Sequence, residues 1–138
     1  GDINKLPSKA QKELQEAILK TKDNTRMTLV LALSYSGRGE IINAVQNIIK
    51  DGKKPEEINE DTFQQYLTTK SVPDPELLIR TSGEYRISNF LLWQIAYSEL
   101  YFTDTLWPDF RRADLYKAIL NYQSRERRFG KTTEQLQK

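Results

Sequence analysis

The sequence predicts an α/β fold with a mainly parallel sheet and helices on both faces. Short, nearly continuous apolar runs of strand length alternate with longer segments in which apolar residues recur every three or four positions. Continuous apolar runs are typical of parallel strands that are covered on both faces. With 138 residues, 38% of them hydrophobic and 29% charged, the chain has the size and composition of one globular domain. We therefore expect a single domain over residues 1–138.

The first half of the chain predicts one strand among three helices. Residues 8–11 have the pattern of a capping box and open an amphipathic helix that runs to about Thr21. Residues 27–34 are almost continuously apolar, so we expect a strand buried on both faces. A helical stripe covers residues 40–50, and a short helix is predicted over residues 61–68.

The second half predicts two further strands, each followed by a helix. Residues 76–80 form a buried strand, and residues 89–98 have the apolar spacing of a helix. A short strand over residues 100–102 follows, and an amphipathic helix over residues 113–127 closes the pattern. This order of elements is the basis of the α/β prediction.

The composition excludes several kinds of chemistry. The chain contains no cysteine and no histidine, which excludes disulfides, thiolate nucleophiles and dyads that need a histidine base. Carboxylates, hydroxyls, lysines and arginines remain, and they suit oxyanion chemistry with a hard metal ion. A formal charge of +2 does not predict nucleic-acid binding. No apolar run reaches the roughly 18 residues that span a bilayer, so we expect a cytoplasmic protein.

Two arginines flank a polar turn after the strand over residues 76–80. Arg80 stands at the carboxyl end of that strand, where ligands bind in open α/β sheets. Gly83 can adopt a positive φ and return the chain, so that Arg86 reaches the same rim. Ser88 is placed to cap the next helix, whose amino end favours an anion. Two guanidiniums, a hydroxyl and a helix start would bind phosphate oxygens, most naturally those of a diphosphate.

The same spacing has a second, purely structural interpretation. Arg80 would then pair with Glu84 or Glu76, Arg86 would lie in solvent, and Ser88 would be only a helix cap. Arginines at strand ends are often ion-paired at the surface. Spacing alone leaves both interpretations open.

Longer motifs surround this turn. They are Ile79-Arg80-Thr81-Ser82-Gly83-Glu84, Arg86-Ile87-Ser88-Asn89-Phe90-Leu91-Leu92-Trp93-Gln94, Tyr97-Ser98-Glu99-Leu100 and Leu106-Trp107-Pro108-Asp109-Phe110. In this order they closely resemble the cis-prenyltransferase family, and within it the bacterial undecaprenyl diphosphate synthases. The resemblance extends over nearly the whole chain. It implies the carboxyl-terminal half, or somewhat more, of the cis-prenyltransferase fold.

The resemblance implies roles for individual residues. In the family, the residues that match Arg80, Arg86 and Ser88 bind the diphosphate of isopentenyl diphosphate. The glutamate that matches Glu84 lies beside this arginine cluster, and the one that matches Glu99 is implicated in binding Mg²⁺.

The end of the chain contributes a second matching element. Arg128 and Gly130 match an Arg-x-Gly element that, in the family, completes the diphosphate site across the interface of a homodimer. A basic helix end with Gly130 as its terminator would have the same sequence. The aromatic residues are expected in the core or the dimer interface; they include Phe90, Trp93, Tyr97, Tyr101, Phe102 and Trp107.

The chain also departs from the family pattern. The family element Asp-Gly-Asn-Gly-Arg-Trp, which contains the catalytic aspartate, does not occur in residues 1–138. We therefore expect the catalytic residue and the product tunnel in a preceding segment, and we expect the isolated chain to be inactive. Ser34 and Ser36 stand where the family commonly has Asn and Gly. Because serine restricts the backbone more than glycine does, the role of this turn is in doubt.

The predicted helix after Ser88 has a geometric consequence. On a continuous helix Ser88 and Glu99 would lie roughly 16 Å apart along the axis, too far to share one diphosphate. We therefore expect Glu99 to reach a metal on the side of the allylic substrate, or the site of a second protomer.

The resemblance implies an enzyme that condenses isopentenyl diphosphate with an allylic diphosphate, such as farnesyl diphosphate. The product would be a cis-polyprenyl diphosphate, most naturally undecaprenyl diphosphate for a cell-wall lipid carrier, and contact with the membrane would occur only through that lipid. The alternative is a non-catalytic partner subunit of a cis-prenyltransferase complex. An unrelated phosphate-binding module is a third, more distant possibility.

Overall fold

The computed structural model describes residues 1–126, in which four α-helices and two β-strands are present. The strands are parallel neighbours, so the α/β class and the parallel pairing are confirmed. The chain divides into two compact units, Gly1–Ser71 and Val72–Lys138. The single domain over residues 1–138 stays a prediction.

The first unit contains three helices. They are α1 (Ser8–Thr21), α2 (Gly37–Lys50) and α3 (Glu60–Gln64). The predicted capping box is wrong in detail, because Ser8 is already helical and Pro7 is the cap residue, without a side-chain bond. The Gln11 side chain instead donates to the carbonyl of Leu6 at 2.8 Å. Ala44, Ile48 and Leu67 are the buried apolar residues of this unit.

The strand predicted over residues 27–34 is not formed in the described part of the chain. This segment has no regular secondary structure, and neither of the two strands in residues 1–126 pairs with it. Its apolar side chains are in solvent, with Met27 79% and Leu29 73% exposed. The prediction of a buried strand is therefore wrong for this chain, because an apolar run favours burial in a sheet only where a neighbouring strand completes the ladder.

Ser36 fits the turn that precedes α2, although the role of this turn stays untested. Its backbone is extended (φ −148°, ψ 119°), a conformation open to any residue, and its hydroxyl accepts from the amide of Gly39 at 3.2 Å. A serine therefore fits this position without strain and caps the helix. Next to the cap, the buried carboxylate of Glu40 accepts hydrogen bonds from the Tyr35 hydroxyl at 2.6 Å and from the Thr68 amide at 2.9 Å.

The second unit is built on the two parallel strands. They are β1 (Leu77–Arg80) and β2 (Glu99–Phe102), in a register that places Leu77 opposite Glu99 and Arg80 opposite Phe102. Helix α4 (Arg112–Gln123) packs against β2. At its start the amide of Arg111 donates to the Asp114 carboxylate at 3.0 Å and lowers the pKa of that carboxyl.

The helix predicted over residues 89–98 is also wrong. This segment forms a series of turns, with positive φ angles at Ser88 (53°), Asn89 (62°) and Leu91 (47°). A right-handed helix cannot continue through left-handed residues. Ser88 is therefore not a helix cap, and no helix start is available there to bind an anion.

Candidate diphosphate site

A cavity of about 390 Å³ lies at the carboxyl end of β1. Its position agrees with the rule that ligands bind beyond the carboxyl ends of parallel strands. Four residues of β1 and the following turn contribute polar groups to it, and four apolar side chains form the rest of the wall. The lining residues are Leu78, Ile79, Arg80, Thr81, Ser82, Arg86, Ile87 and Phe90.

Backbone hydrogen bonds hold the turn that forms this cavity. The amide of Ser82 donates to the carbonyl of Thr105, and the amide of Gly83 donates to the carbonyl of Thr103, both at 2.9 Å. Gly83 has the predicted positive φ, at 64°, which allows the chain to reverse towards Arg86. The turn after β1 is thus fixed to the loop after β2.

The structure brings the two predicted arginines to the same cavity. Arg80 is half-buried, and among the described residues its side chain has no ion-pair partner. A half-buried guanidinium without a carboxylate favours an anionic ligand. Arg86 is more exposed, at 65%, and its guanidinium forms an ion pair with Glu84.

The structural interpretation of the sequence is therefore wrong about the ion pair, because Glu84 pairs with Arg86 rather than with Arg80, and it agrees with the structure only in that Arg86 is largely exposed. Glu84 lies beside the cluster, as the resemblance implied, and it restrains the Arg86 side chain. Ser88 is exposed and is not among the residues that line the cavity. Its contact with a diphosphate stays a prediction.

The hydroxyls of Thr81 and Ser82 were not predicted as ligands. Both residues line the cavity and directly follow Arg80. Their position after the carboxyl end of a predicted strand was an available signal. Phe90 and Ile87 were also missed, because the turns that bring them to the wall replace a predicted helix.

Glu99 lies away from this cavity. It is the first residue of β2, opposite Leu77, whereas Arg80 is at the other end of β1. Along the strand axis, the three-residue step from the Leu77–Glu99 pair to the Arg80–Phe102 pair corresponds to about 10 Å. No helix joins Ser88 to Glu99, so the distance predicted from a helix does not apply to them. The strand register nevertheless separates Glu99 from Arg80.

The Glu99 carboxylate is engaged by an arginine. Oε2 accepts from Nη1 of Arg125 at 2.7 Å, and the two side chains are 27% and 31% exposed. This pair was not predicted, because it joins residues 26 positions apart in the chain. Arg128 and Gly130 lie outside the described residues, so their predicted role stays a prediction.

Glu99 can supply one oxygen ligand to a magnesium ion, but residues 1–126 contain no group of three acidic side chains that could hold a metal. Magnesium commonly uses one or two carboxylates together with water and substrate phosphates. A magnesium ion at Glu99 would therefore need its remaining ligands from a substrate and solvent.

A second, mostly apolar cavity of about 570 Å³ lies near the start of α4. Ile79 and Thr81 line both cavities, and Trp107, Phe110 and Leu115 form much of the second one. The aromatic rings of Trp107 and Phe110 are nearly parallel, with centroids 6.4 Å apart.

The aromatic residues do not all lie in the core. Trp107 is 73% exposed and Tyr97 is 74% exposed, so the expectation that they are core residues is wrong for both. Whether they belong to a dimer interface stays a prediction. Within residues 1–126, no helix is both long enough and apolar enough to cross a membrane.

Two isoprenyl transferases are similar to this chain over most of its length. The isoprenyl transferase of Chlorobaculum tepidum is 56% identical over 140 residues, covering 99% of this chain and 53% of the relative. That of Thermotoga maritima is 59% identical over 128 residues, covering 91% of this chain and 54% of the relative. This chain thus spans about half the length of these curated relatives.

Solved structures extend the likeness to three dimensions. The crystal structure of lavandulyl diphosphate synthase from Lavandula x intermedia, in complex with dimethylallyl diphosphate, matches with a TM-score of 0.89 and 40% identity. The match covers 95% of this chain and 58% of that one. A probable undecaprenyl diphosphate synthase from Campylobacter jejuni matches with a TM-score of 0.81 and 35% identity, over 95% of this chain and 61% of the other.

The family model described as "Putative undecaprenyl diphosphate synthase" matches residues 1–130. This match and the high identity to the curated relatives show that the chain belongs to the prenyltransferase family of undecaprenyl diphosphate synthases.

Proposed function

We propose that this chain provides the isopentenyl diphosphate site of a cis-prenyltransferase. The half-buried Arg80 guanidinium in the cavity after β1 is the observation on which the proposal rests. Arg86 lines the same cavity, and the pair can bind a diphosphate through several charge-assisted hydrogen bonds. Family membership supports an isoprenoid diphosphate as the ligand.

The reaction is the condensation of isopentenyl diphosphate with an allylic diphosphate, and farnesyl diphosphate is the proposed allylic substrate. The product is a cis-polyprenyl diphosphate, with undecaprenyl diphosphate as the proposed chain. In this scheme Arg80 and Arg86 hold the diphosphate, the hydroxyls of Thr81 and Ser82 complete the contacts, and Phe90 bounds the apolar end. Positioning and charge stabilisation are the protein's main contributions to such a reaction.

The carboxylate of Glu99 is the proposed protein ligand for Mg²⁺ in this chain. The ion would neutralise charge on a substrate diphosphate when bound. Glu99 and the arginine cavity lie at different ends of the two strands, so we propose that Glu99 serves the allylic side or a partner protomer. Arg128 and Gly130 are the proposed contribution of each chain to its partner in a cytoplasmic homodimer.

The chain alone is proposed to bind isopentenyl diphosphate without turnover. The family element with the catalytic aspartate is not in residues 1–138, and the chain spans about half the length of its relatives. A radiolabel transfer assay from isopentenyl diphosphate to farnesyl diphosphate should give no product with this chain. Product formation by a pure sample would contradict this part of the proposal.

Calorimetric titration with isopentenyl diphosphate tests the binding site directly. We expect Arg86→Ala to weaken binding by about tenfold or more, since a charge-assisted bond typically contributes about 1.5–3 kcal/mol. Arg112→Ala is the matched control, because Arg112 is an exposed arginine of the same unit that does not line this cavity.

Comparison of the two variants distinguishes binding at the arginine cavity from a general effect of the protein's positive charge. Equal weakening by both substitutions would show that the arginine cavity is not the site. Inorganic diphosphate serves as a second ligand. If it binds as tightly as isopentenyl diphosphate, the chain is a phosphate-binding module without selectivity for the isopentenyl group, and the proposal fails.

A further inference from the structure

The second cavity, near the start of α4, has no part in the proposed diphosphate site. Its volume of about 570 Å³ lies within the range of about 300–1,000 Å³ that is typical of small-molecule sites. It shares Ile79 and Thr81 with the diphosphate cavity but contains neither of that cavity's two arginines. All of its lining residues belong to the unit Val72–Lys138, so one compact part of the chain forms the whole wall.

Two aromatic rings form an open apolar wall of the second cavity. The rings of Trp107 and Phe110 are nearly parallel, with 12° between their planes. Trp107 is 73% exposed, and Leu115 on α4, which lines the same cavity, is 40% exposed. A ligand that covers these side chains removes apolar surface from water, which is favourable. The wall therefore suits an apolar chain.

The charged side chains of the second cavity are all cationic among the described residues. They are Arg111 and Arg112, and no described carboxylate lines the cavity. Nη1 of Arg111 donates to the carbonyl oxygens of Pro108 and Phe110, so the guanidinium is held beside the aromatic pair. Within residues 1–126, neither arginine forms an ion pair. A guanidinium that is positioned by backbone carbonyls and lacks a carboxylate favours an anion, and its planar donors suit phosphate oxygens.

We propose that the second cavity binds a single-chain amphipathic phosphate. The apolar chain lies against the Trp107–Phe110 pair and Leu115, and the phosphate head lies at Arg111. The inference is independent of the isopentenyl diphosphate site, because the two ligands would contact different arginines. Both parts of the ligand are needed for tight binding, since the guanidinium is exposed to solvent and an ion pair there is weak by itself.

Tryptophan fluorescence of the 138-residue chain tests this site. The chain contains only two tryptophans, so the variant Trp93→Phe reports on Trp107 alone. The ligands are octyl phosphate and octyl glucoside, which carry the same chain with a charged and a neutral head, each below its micelle concentration. We expect a saturable change with octyl phosphate, and a Kd about fivefold lower than that of octyl glucoside, the upper range for an exposed ion pair. If Trp93→Phe does not fold by circular dichroism, calorimetry of the unsubstituted chain replaces the fluorescence.

Arg111→Gln should remove the preference for the charged head. We expect it to raise the Kd of octyl phosphate by about fivefold and to leave the Kd of octyl glucoside unchanged. The start of α4 keeps its cap in this variant, because the bond at 3.0 Å to the Asp114 carboxylate comes from the backbone amide of residue 111. Leu115→Asn should weaken both ligands, because it removes apolar contact with the shared chain.

Lys117→Gln is the charge control. Lys117 lies on α4, does not line the second cavity and forms an ion pair with Asp114 at 3.4 Å, so its substitution removes the same charge from the same helix. Its Kd values should equal those of the unsubstituted chain. Geranyl phosphate identifies the type of chain: tighter binding than octyl phosphate assigns the site to isoprenoid phosphates, and weaker binding assigns it to straight-chain phosphates.

Four results would overturn the proposal. The first is the absence of a saturable change with octyl phosphate. The second is equal weakening of both ligands by Arg111→Gln, which would show that the arginine only supports the turn. The third is the same loss in Lys117→Gln, which would show a general charge effect. The fourth is loss of octyl phosphate binding in Arg86→Ala but not in Arg111→Gln, which would place the ligand in the diphosphate cavity and leave the proposed isopentenyl diphosphate site intact.

Discussion

Single residues set the geometry of the turn after β1. Gly83 has φ 64°, and a β-carbon there would lie 3.0 Å from Oδ1 of Asp104. Glu84 pairs with Arg86, which leaves Arg80 as the half-buried cation of the cavity. The diphosphate site therefore depends on one glycine conformation as well as on its charges.

We expect Gly83→Ala to lower the free energy of unfolding by about 1–2 kcal/mol, since a left-handed conformation is unfavourable for residues with a β-carbon. Urea denaturation measures the change. Gly39→Ala is the matched control with the opposite sign. Gly39 lies in α2, and the nearest atom to its added β-carbon would be 3.4 Å away, so alanine should raise stability by about 0.5 kcal/mol. Destabilisation by Gly39→Ala equal to that by Gly83→Ala would contradict the conformational explanation.

Among the elements, α2 is a helix that the local apolar spacing predicts and the structure contains. Its helical stripe was predicted over residues 40–50, and the observed helix Gly37–Lys50 begins earlier because Ser36 provides a cap. The hydroxyl of Ser36 accepts the Gly39 amide, a bond that glycine at this position could not make.

Ser36→Ala should therefore destabilise the first unit by about 1 kcal/mol, whereas Ser36→Gly should cost only a few tenths of that amount. Both are measured by urea denaturation followed through helical circular dichroism. If Ser36→Ala leaves the free energy of unfolding unchanged, the hydroxyl does not stabilise the start of α2 and our explanation of the cap is wrong.

The helix predicted over residues 89–98 is replaced by turns. Its apolar spacing suited a helix, yet Ser88, Asn89 and Leu91 have positive φ angles. These turns bring Phe90 to the wall of the cavity. Helical periodicity reports which side chains are buried, and turns can bury the same positions with another backbone.

At the scale of the molecule, the apolar segment over residues 27–31, which the sequence predicts to be buried, is exposed. Leu29, Val30 and Leu31 are between 56% and 73% exposed, and no strand of residues 1–126 covers them. Exposed apolar runs of high strand propensity favour association with another chain. The chain spans about half the length of its curated relatives, so in a longer protein this segment has further sequence available as a partner.

We expect the double substitution Leu29→Ser with Leu31→Ser to change the free energy of unfolding of this chain by less than about 0.5 kcal/mol, as is usual for exposed positions. It should lower the fluorescence of a bound hydrophobic dye. Ile48→Ala is the control, since Ile48 is 3% exposed and its truncation should cost about 2–5 kcal/mol. A comparable loss of stability in the double variant would show that residues 27–31 are buried.

The sequence by itself determined the α/β class, the strand before Arg80, helix α2, the positive φ of Gly83 and membership of the prenyltransferase family. These features depend on local periodicity, on residues with special backbone freedom, or on long ordered motifs. Only the tertiary structure decided the two ion pairs near the candidate site. Glu84 pairs with Arg86, while Arg125 reaches across 26 positions to Glu99.

The reason for this division is physical. Hydrogen bonds within a helix join residues one turn apart and so follow from the local sequence, whereas strand ladders and long-range ion pairs need a second segment at the right place. The apolar run over residues 27–34 had the composition of a strand but found no partner in the described residues. Arg80 and Arg86 met at one cavity because Gly83 reverses the chain between them and the loop after β2 holds that turn in place.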